Sequence, residues 1–275
     1  MTEEELKERE REHQKDLERL RRFRPMDDTF MRCLFRDNML LAELVLRIIT
    51  GKEDLILVRE ETQKDLKRLV GARSVCLDVH GVDNEGKQYD LEVQKADDGA
   101  VPERARYHAS AIDIESLDKR QEFTELPGTY TIFITEDDYY GCGKGVYRIE
   151  RAVLGTRRLF GDRQHIIYAN GQYRGDDRLG DLMHDFCCSE PDEMKIGLMA
   201  ESSRYWKEHP KGVEAMCKIM EDMRREAADK KCLDDIRAVM RKLKYTAQQA
   251  MELLDVPDSE QKKYLAKLCC GNSHL

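Results

Sequence analysis

Apolar residues recur at helical spacing from residue 30 to residue 48, as Phe30, Leu34, Leu41, Leu44, Val45 and Ile48. Asp27 or Asp28 is placed to cap this helix and Gly51 to close it. Its less apolar side carries Arg32, Arg36, Glu43 and Arg47. Residues 2–22 alternate acids and bases with few apolar positions, the pattern of a solvated helix. LILVR (55–59) predicts a strand. CLDVHGVDNEGKQYDLEVQK (76–95) alternates apolar and polar residues on both sides of a DNEGK turn, where Gly86 suits a positive φ. Pro102 opens a helix expected to run to about residue 120. GTYTIFIT (128–135) is short, β-branched and aromatic, and so predicts a buried strand; VYRIERAV (146–153) and HIIYANG (165–171) predict two more. From residue 178 the pattern is helical, with breaks near Pro191 and Pro210 and no Gly/Ser-rich linker.

Strands with intervening helices, followed by helices alone, imply an α/β core with an all-helical C-terminal region. The expected division is a charged helical extension over 1–24, a core over 25–175, and a helical region over 176–275. A length of 275 residues suits one large domain with a smaller appendage, and 40% hydrophobic content supplies a core despite 37% charged residues. The net charge of −8 argues against indiscriminate coating of nucleic acid but leaves room for a local basic groove. No apolar run is long enough to span a membrane, and the N-terminus has no secretory apolar stretch. The nine cysteines include no CxxC pair and no zinc spacing, so reduced thiols in a cytoplasm are expected.

The hairpin changes this picture. One side is apolar: Leu77, Val79, Tyr89, Leu91 and Val93. The other collects Asp78, His80, Asp90, Glu92 and Gln94. A turn at Asn84-Glu85-Gly86 sets Asp83 opposite Lys87, Asp78 opposite Glu92, and His80 opposite Asp90. Two carboxylates so placed repel unless something positive lies between them. A hard divalent cation such as Mg²⁺ is one candidate. A wet, acidic sheet face is the other, and His80 alone reads as a surface or internally satisfied histidine.

In its ordered series of segments the chain resembles the PD-(D/E)XK nuclease family transposases, also described as recombination-promoting nucleases. DDTFMRCLFRDNMLLAELVLRII resembles the family's opening helix, and CLDVHGVDNEGKQYDLEVQK its Asp…Glu-x-Gln hairpin. ERARYHASAID resembles the helix that follows, LPGTYTIFITEDD and HIIYANG the later strands, and KGVEAMCKIMEDMRREAA and YTAQQAMELLDVP the C-terminal half. The resemblance implies a restriction-endonuclease-like fold, a mixed sheet flanked by helices, and Mg²⁺- or Mn²⁺-dependent cleavage of DNA phosphodiesters. By motif, Asp78 and Glu92 hold the metal, the Val93 carbonyl completes its shell, and Glu43 supplies an acid from the first helix. Gln94 stands where the motif has lysine; an amide orients water but carries no positive charge. Lys95 is expected on the opposite side of the strand. Arg104 and Arg106 are candidate DNA phosphate contacts, with ordinary surface charge or an internal ion pair as the alternative.

At the C-terminal end, Thr246-Ala-Gln-Gln249 forms a capping box sequence, Val256-Pro257 breaks the helix, and a second helix follows with Tyr264, Leu265 and Leu268 inward. Two short helices around a tight turn resemble a helix-turn-helix unit; a plain helical hairpin that seals the domain or joins two copies is the alternative. A homodimer is an open possibility, since nucleases that cut both strands often use two sites. The rival to a nuclease is a catalytically weak descendant that uses the fold as a DNA- or protein-binding scaffold.

Overall fold

The computed structural model describes residues 3–66, 75–96 and 99–270. The chain divides into two compact units, Met1–Val213 and Glu214–Leu275. The division thus falls well beyond residue 175, where the strand-bearing pattern ends.

The first unit begins with α1 (Glu3–Arg22), a largely exposed charged helix that buries Leu20. Its sheet contains β1 (Leu57–Asp65), β2 (Cys76–Asp83), β3 (Gln88–Gln94), β4 (Thr129–Thr135), β5 (Val146–Ile149) and β6 (Gln164–Asn170). The strand order is β1-β2-β3-β4-β6-β5. The β3–β4 and β4–β6 pairs are parallel and the others antiparallel, so the sheet is mixed. A parallel β3–β4 pair needs a crossover, which α4 (Pro102–Ser116) supplies. Every residue of β4 is buried, as its β-branched and aromatic sequence predicts.

Two helices precede the sheet, α2 (Asp28–Phe35) and α3 (Met39–Thr50), where the apolar spacing predicts one. The break lies at Asp37 and Asn38. Asp37 takes φ 54°, and the Asn38 side chain accepts from Leu41 N and donates to Leu34 O, so local polar bonds replace the helical ladder. Asp27 occupies the N-cap position of α2, but its carboxylate accepts from Arg24 N and pairs with Lys95 instead. Gly51 closes α3 at φ 71°, as expected.

Residues 55–59 were expected to hold a strand, yet β1 starts at Leu57 and runs to Asp65. It carries Arg59, Glu60, Glu61, Lys64 and Asp65, a shift of register between Leu57 and Arg59, and a left-handed residue at Gln63 (φ 57°). The predicted strand 146–153 stops at Ile149; beyond it the chain forms a short arm closed by an Ala152–Leu159 bridge. Helix α4 ends at Ser116 rather than near 120.

The two sheet faces differ as the alternation implies. On one, Tyr89 stacks on Tyr130 at 4.8 Å. There Gly81 lets Leu57 come close; a Cβ at Gly81 would lie 3.0 Å from Leu57 Cδ2 and 3.7 Å from Leu46 Cδ1 of α3. The other face bears Asp78, His80, Asp90 and Glu92 and is covered by α4. Farther along this face, Ala100 and Ala105 join Phe133 and Tyr168 in a core cluster. The unit closes with α5 (Arg178–Cys187) and α6 (Gly197–Glu208).

Helix α7 (Pro210–Leu243) begins in the first unit and lies mostly in the second, where α8 (Ala247–Leu253) and α9 (Asp258–Cys270) follow. The second unit centres on Ile236, Ala250, Met251, Val256 and Tyr264. Both hydrogen bonds of the predicted capping box at Thr246 and Gln249 are made. Tyr264 faces inward and Leu268 packs against this core, but Leu265 is 38% exposed. Among the described residues no helix is long and apolar enough to cross a membrane, and the seven cysteines described are free thiols.

Candidate active site

The β2–β3 turn closes through Gly86 N to Asp83 O and Asp83 N to Lys87 O, both 3.0 Å, with Gly86 at φ 81°. That turn sets Val79 opposite Leu91 and His80 opposite Asp90, the register expected from the turn sequence. Asp78 and Glu92 meet one step farther on, where Asp78 N donates to Glu92 Oε1 at 3.0 Å. Asp78 Oδ1 accepts from Gln63 Nε2 at 3.0 Å, and Val93 N lies 3.5 Å from Asp78 Oδ2. Gln94 Nε2 lies 3.4 Å from Glu92 Oε2, which aims the amide at the same carboxylate. Gly99 backs that amide so closely that a Cβ there would sit 2.1 Å from Gln94 Oε1. Asp78, Glu92, Val93 and Gln94 are therefore brought together.

Helix α4 adds two side chains one turn apart. Arg104 Nη2 donates to Glu92 Oε2 at 2.6 Å, Nη1 to Gly99 O at 3.0 Å, and Nε to His108 Nε2 at 3.3 Å. An arginine nitrogen only donates, so His108 Nε2 accepts and the imidazole proton sits on Nδ1. Nδ1 then donates to Asp90 Oδ2 at 3.0 Å and lies 3.7 Å from Glu92 Oε1.

Asp90 and Glu92 are fully buried and Asp78 nearly so. Burial pushes the Asp90 carboxyl up to about 8, with the Asp78 charge adding to it. Burial raises Glu92 well above the usual carboxylate range, and Asp90 and Asp78 push it further. Asp78 rises for the same reason, next through Asp28. Asp90 Oδ1 has no hydrogen-bond donor among the described residues; its neighbour Glu92 is another acid and donates only if protonated. Among the described residues, Arg104 is the guanidinium bonded to these three buried carboxyl groups, through Glu92, while Arg32 acts on Asp78 by its charge. This oxygen-rich, under-neutralised patch fits a divalent cation, and among the described residues Asp90, Glu92 and His108 are a group that could hold one.

Other predicted positions fall elsewhere. Glu43 accepts from Leu57 N at 2.9 Å and pairs with Arg47 at 2.6 Å, so it fastens β1 to α3 rather than joining Asp78 and Glu92. Arg106 is exposed, turned away from Arg104 by two helical positions. Lys95 binds Asp27 at 2.7 Å. His80 is buried and satisfied, by Gln88 at 2.6 Å and Lys64 at 3.4 Å; burial holds its imidazole down to about 4.

The sequence reading missed His108 as a partner of Asp90, Gln63 as the anchor of Asp78, and Asp28 as the opening-helix acid that acts on Asp78. The spacing of Arg104 and His108 puts both on one helix face and was the available signal for His108. A cleft of about 580 Å³ opens beside Gln63, with Arg32, Arg36 and Lys64 set against Glu60, Glu61 and Glu115. Its lining is mixed rather than basic.

The model of a family described as PD-(D/E)XK nuclease family transposase matches residues 30–170. Neither the curated proteins nor the solved structures gave a match. The matched stretch runs from α2 through β6 and contains the whole acidic hairpin, α4 and the sheet. More than half of the chain is thus accounted for by one family, and the protein belongs to the PD-(D/E)XK nuclease family transposases.

Proposed function

We propose that the protein is a divalent-metal-dependent endonuclease that hydrolyses DNA phosphodiesters, with Asp78 and Glu92 as the cation ligands. The observation that carries this reading is that one hairpin sets two buried acids side by side, with the Asp78 backbone N donating to Glu92 Oε1, inside the family-matched region. When bound, Mg²⁺ or Mn²⁺ would lower the pKa of a water and neutralise charge growing on the phosphate. The Val93 backbone borders the ligand pair, and the family motif assigns its carbonyl to the same shell. Gln94 orients the attacking water through its amide, held toward Glu92 and backed by Gly99. Arg104 neutralises Glu92 in the absence of substrate and offers its guanidinium to a phosphate. Gln63 fixes the direction of Asp78.

Supercoiled plasmid incubated with purified protein and Mg²⁺ tests this. Nicking by the wild type, reduced at least about a hundredfold in Asp78→Asn and in Glu92→Gln, is the expected result. Mutants that cut like the wild type refute the site.

A second reading is a DNA- or protein-binding scaffold with weak catalysis. Two observations favour it: Gln94 supplies no positive charge, and the cleft beside Gln63 is mixed in sign. Equal, negligible nicking by wild type and mutants, with DNA binding intact, selects that reading.

A further inference from the structure

We propose that Asp90, Glu92 and His108 form an inner cation site that takes a divalent transition-metal ion, distinct from the oxygen-only pair Asp78 and Glu92. It rests on the nuclease reading only in sharing Glu92 as a ligand. Each of the three residues offers a ligand atom, and these atoms lie within 4.8 Å of one another, so one ion can reach all three. Asp90 and Glu92 are 0% exposed and His108 5%. Asp90 Oδ1 is the independent sign of a ligand: a fully buried carboxylate oxygen that, with Glu92 ionised as a metal ligand must be, has no donor among the described residues. Thr131 Oγ1, on the residue paired with Asp90 across β3 and β4, is a second buried polar atom without a partner among the described residues. Native interiors seldom leave such atoms unsatisfied.

The donor set decides the class of ion. Mg²⁺ prefers oxygen ligands, whereas an imidazole nitrogen beside two carboxylates favours Mn²⁺, Fe²⁺ or Zn²⁺. Charge agrees. Once deprotonated, the two carboxylates carry two negative charges, which a divalent ion cancels when it takes the place of the Arg104 guanidinium.

The hydrogen bonds add a consequence for Arg104. His108 now holds its proton on Nδ1, toward Asp90, and accepts from Arg104 Nε at Nε2. An ion bound at Nδ1 requires the proton on Nε2, where it would meet the Arg104 N–H head on. The imidazole proton moves from one ring nitrogen to the other, and any proton held on the Asp90 or Glu92 carboxyl, both of which burial raises, leaves to solvent as the ion binds. Arg104 and the ion are therefore alternative occupants of the same negative cluster, and the ion's arrival frees the guanidinium for a substrate phosphate.

The test is pulsed electron paramagnetic resonance of Mn²⁺ added to the full-length, metal-stripped protein. The expected spectrum shows modulation from one imidazole nitrogen. It is lost in His108→Gln and in Asp90→Asn, and kept in Asp78→Asn and in His80→Gln. Asp90→Asn also weakens Mn²⁺ binding about tenfold or more, as the second variant should His108→Gln not fold. Bound Mn²⁺ without nitrogen modulation in the wild type overturns the proposal, as does modulation that survives in His108→Gln or vanishes in His80→Gln or Asp78→Asn. The plasmid assay separates the two readings. A wild type that fails to nick DNA yet shows His108-dependent modulation keeps the inner site and removes the nuclease. Nicking that depends on Asp78, without any nitrogen modulation, does the reverse.

Discussion

Gln63 holds φ 57° in the middle of β1 while its side-chain amide donates to Asp78. A non-glycine residue in that region costs about 1–3 kcal/mol and persists where its surroundings require it. The amide bond to a buried carboxylate is what the strain secures. Gln63→Gly removes the strain and the bond together, so its stability should stay within about 1 kcal/mol of the wild type. Plasmid nicking should fall about tenfold, because Asp78 loses its anchor. A denaturant melt beside the nicking assay checks both, and full activity in this variant would show that Gln63 does not orient Asp78. Much of the site was legible at this scale. The turn sequence alone set Asp78 against Glu92, since hairpin register follows from the turn. The role of Gln63 was not legible, because nothing in REETQKD marks a left-handed residue. Nor was the reach of Arg104 and His108 to Glu92 and Asp90, which depends on how α4 is rotated above the sheet.

Among elements, the strands that pack on both faces were the easiest to read. β4 shows its burial in every residue, and β6 was placed to within one residue. β1 was read poorly because charged edge strands resemble loops in composition. The break between α2 and α3 was hidden by apolar residues that keep helical spacing across Asp37 and Asn38. Capping was legible where side chain and backbone agree, as at Thr246, and misleading at Asp27, whose carboxylate Arg24 and Lys95 claim. Thr246→Ala removes both the bond to Gln249 N and the reciprocal geometry of the box. It should cost the second unit about 1 kcal/mol, seen as earlier loss of amide-exchange protection around Ala250 and Met251. Unchanged protection would mean that the apolar cluster around Ile236 and Tyr264 fixes α8 without its cap.

At the scale of the whole molecule, Lys207 of α6 ties distant stretches of the first unit together. Its ammonium donates to the carbonyls of Arg21 at 3.0 Å, Phe23 at 2.6 Å and Ser189, and lies 5.2 Å from the centre of the Phe30 ring. Burial lowers the Lys207 amine to about 8, against the opposing pull of Glu190. A lysine whose folded pKa is lowered binds its proton less tightly folded than unfolded. Its penalty is therefore complete below pH 8 and is relieved as pH rises from about 8 toward the unfolded value near 10.5. Stability should rise across that window by on the order of 1–3 kcal/mol from this group. Comparing wild type with Lys207→Met isolates it, since the other alkaline titrations are common to both. A difference between the two that does not grow with pH would refute the assignment.

The margins of the sheet carry a last consequence. A second chain that tried to extend the sheet at β1 would meet alternating charges, an irregular register near Arg59 and a reversed backbone at Gln63. At the far margin β5 offers only four residues. Such borders resist templated, fibril-like growth, so concentrated protein should stay free of strand-mediated polymers.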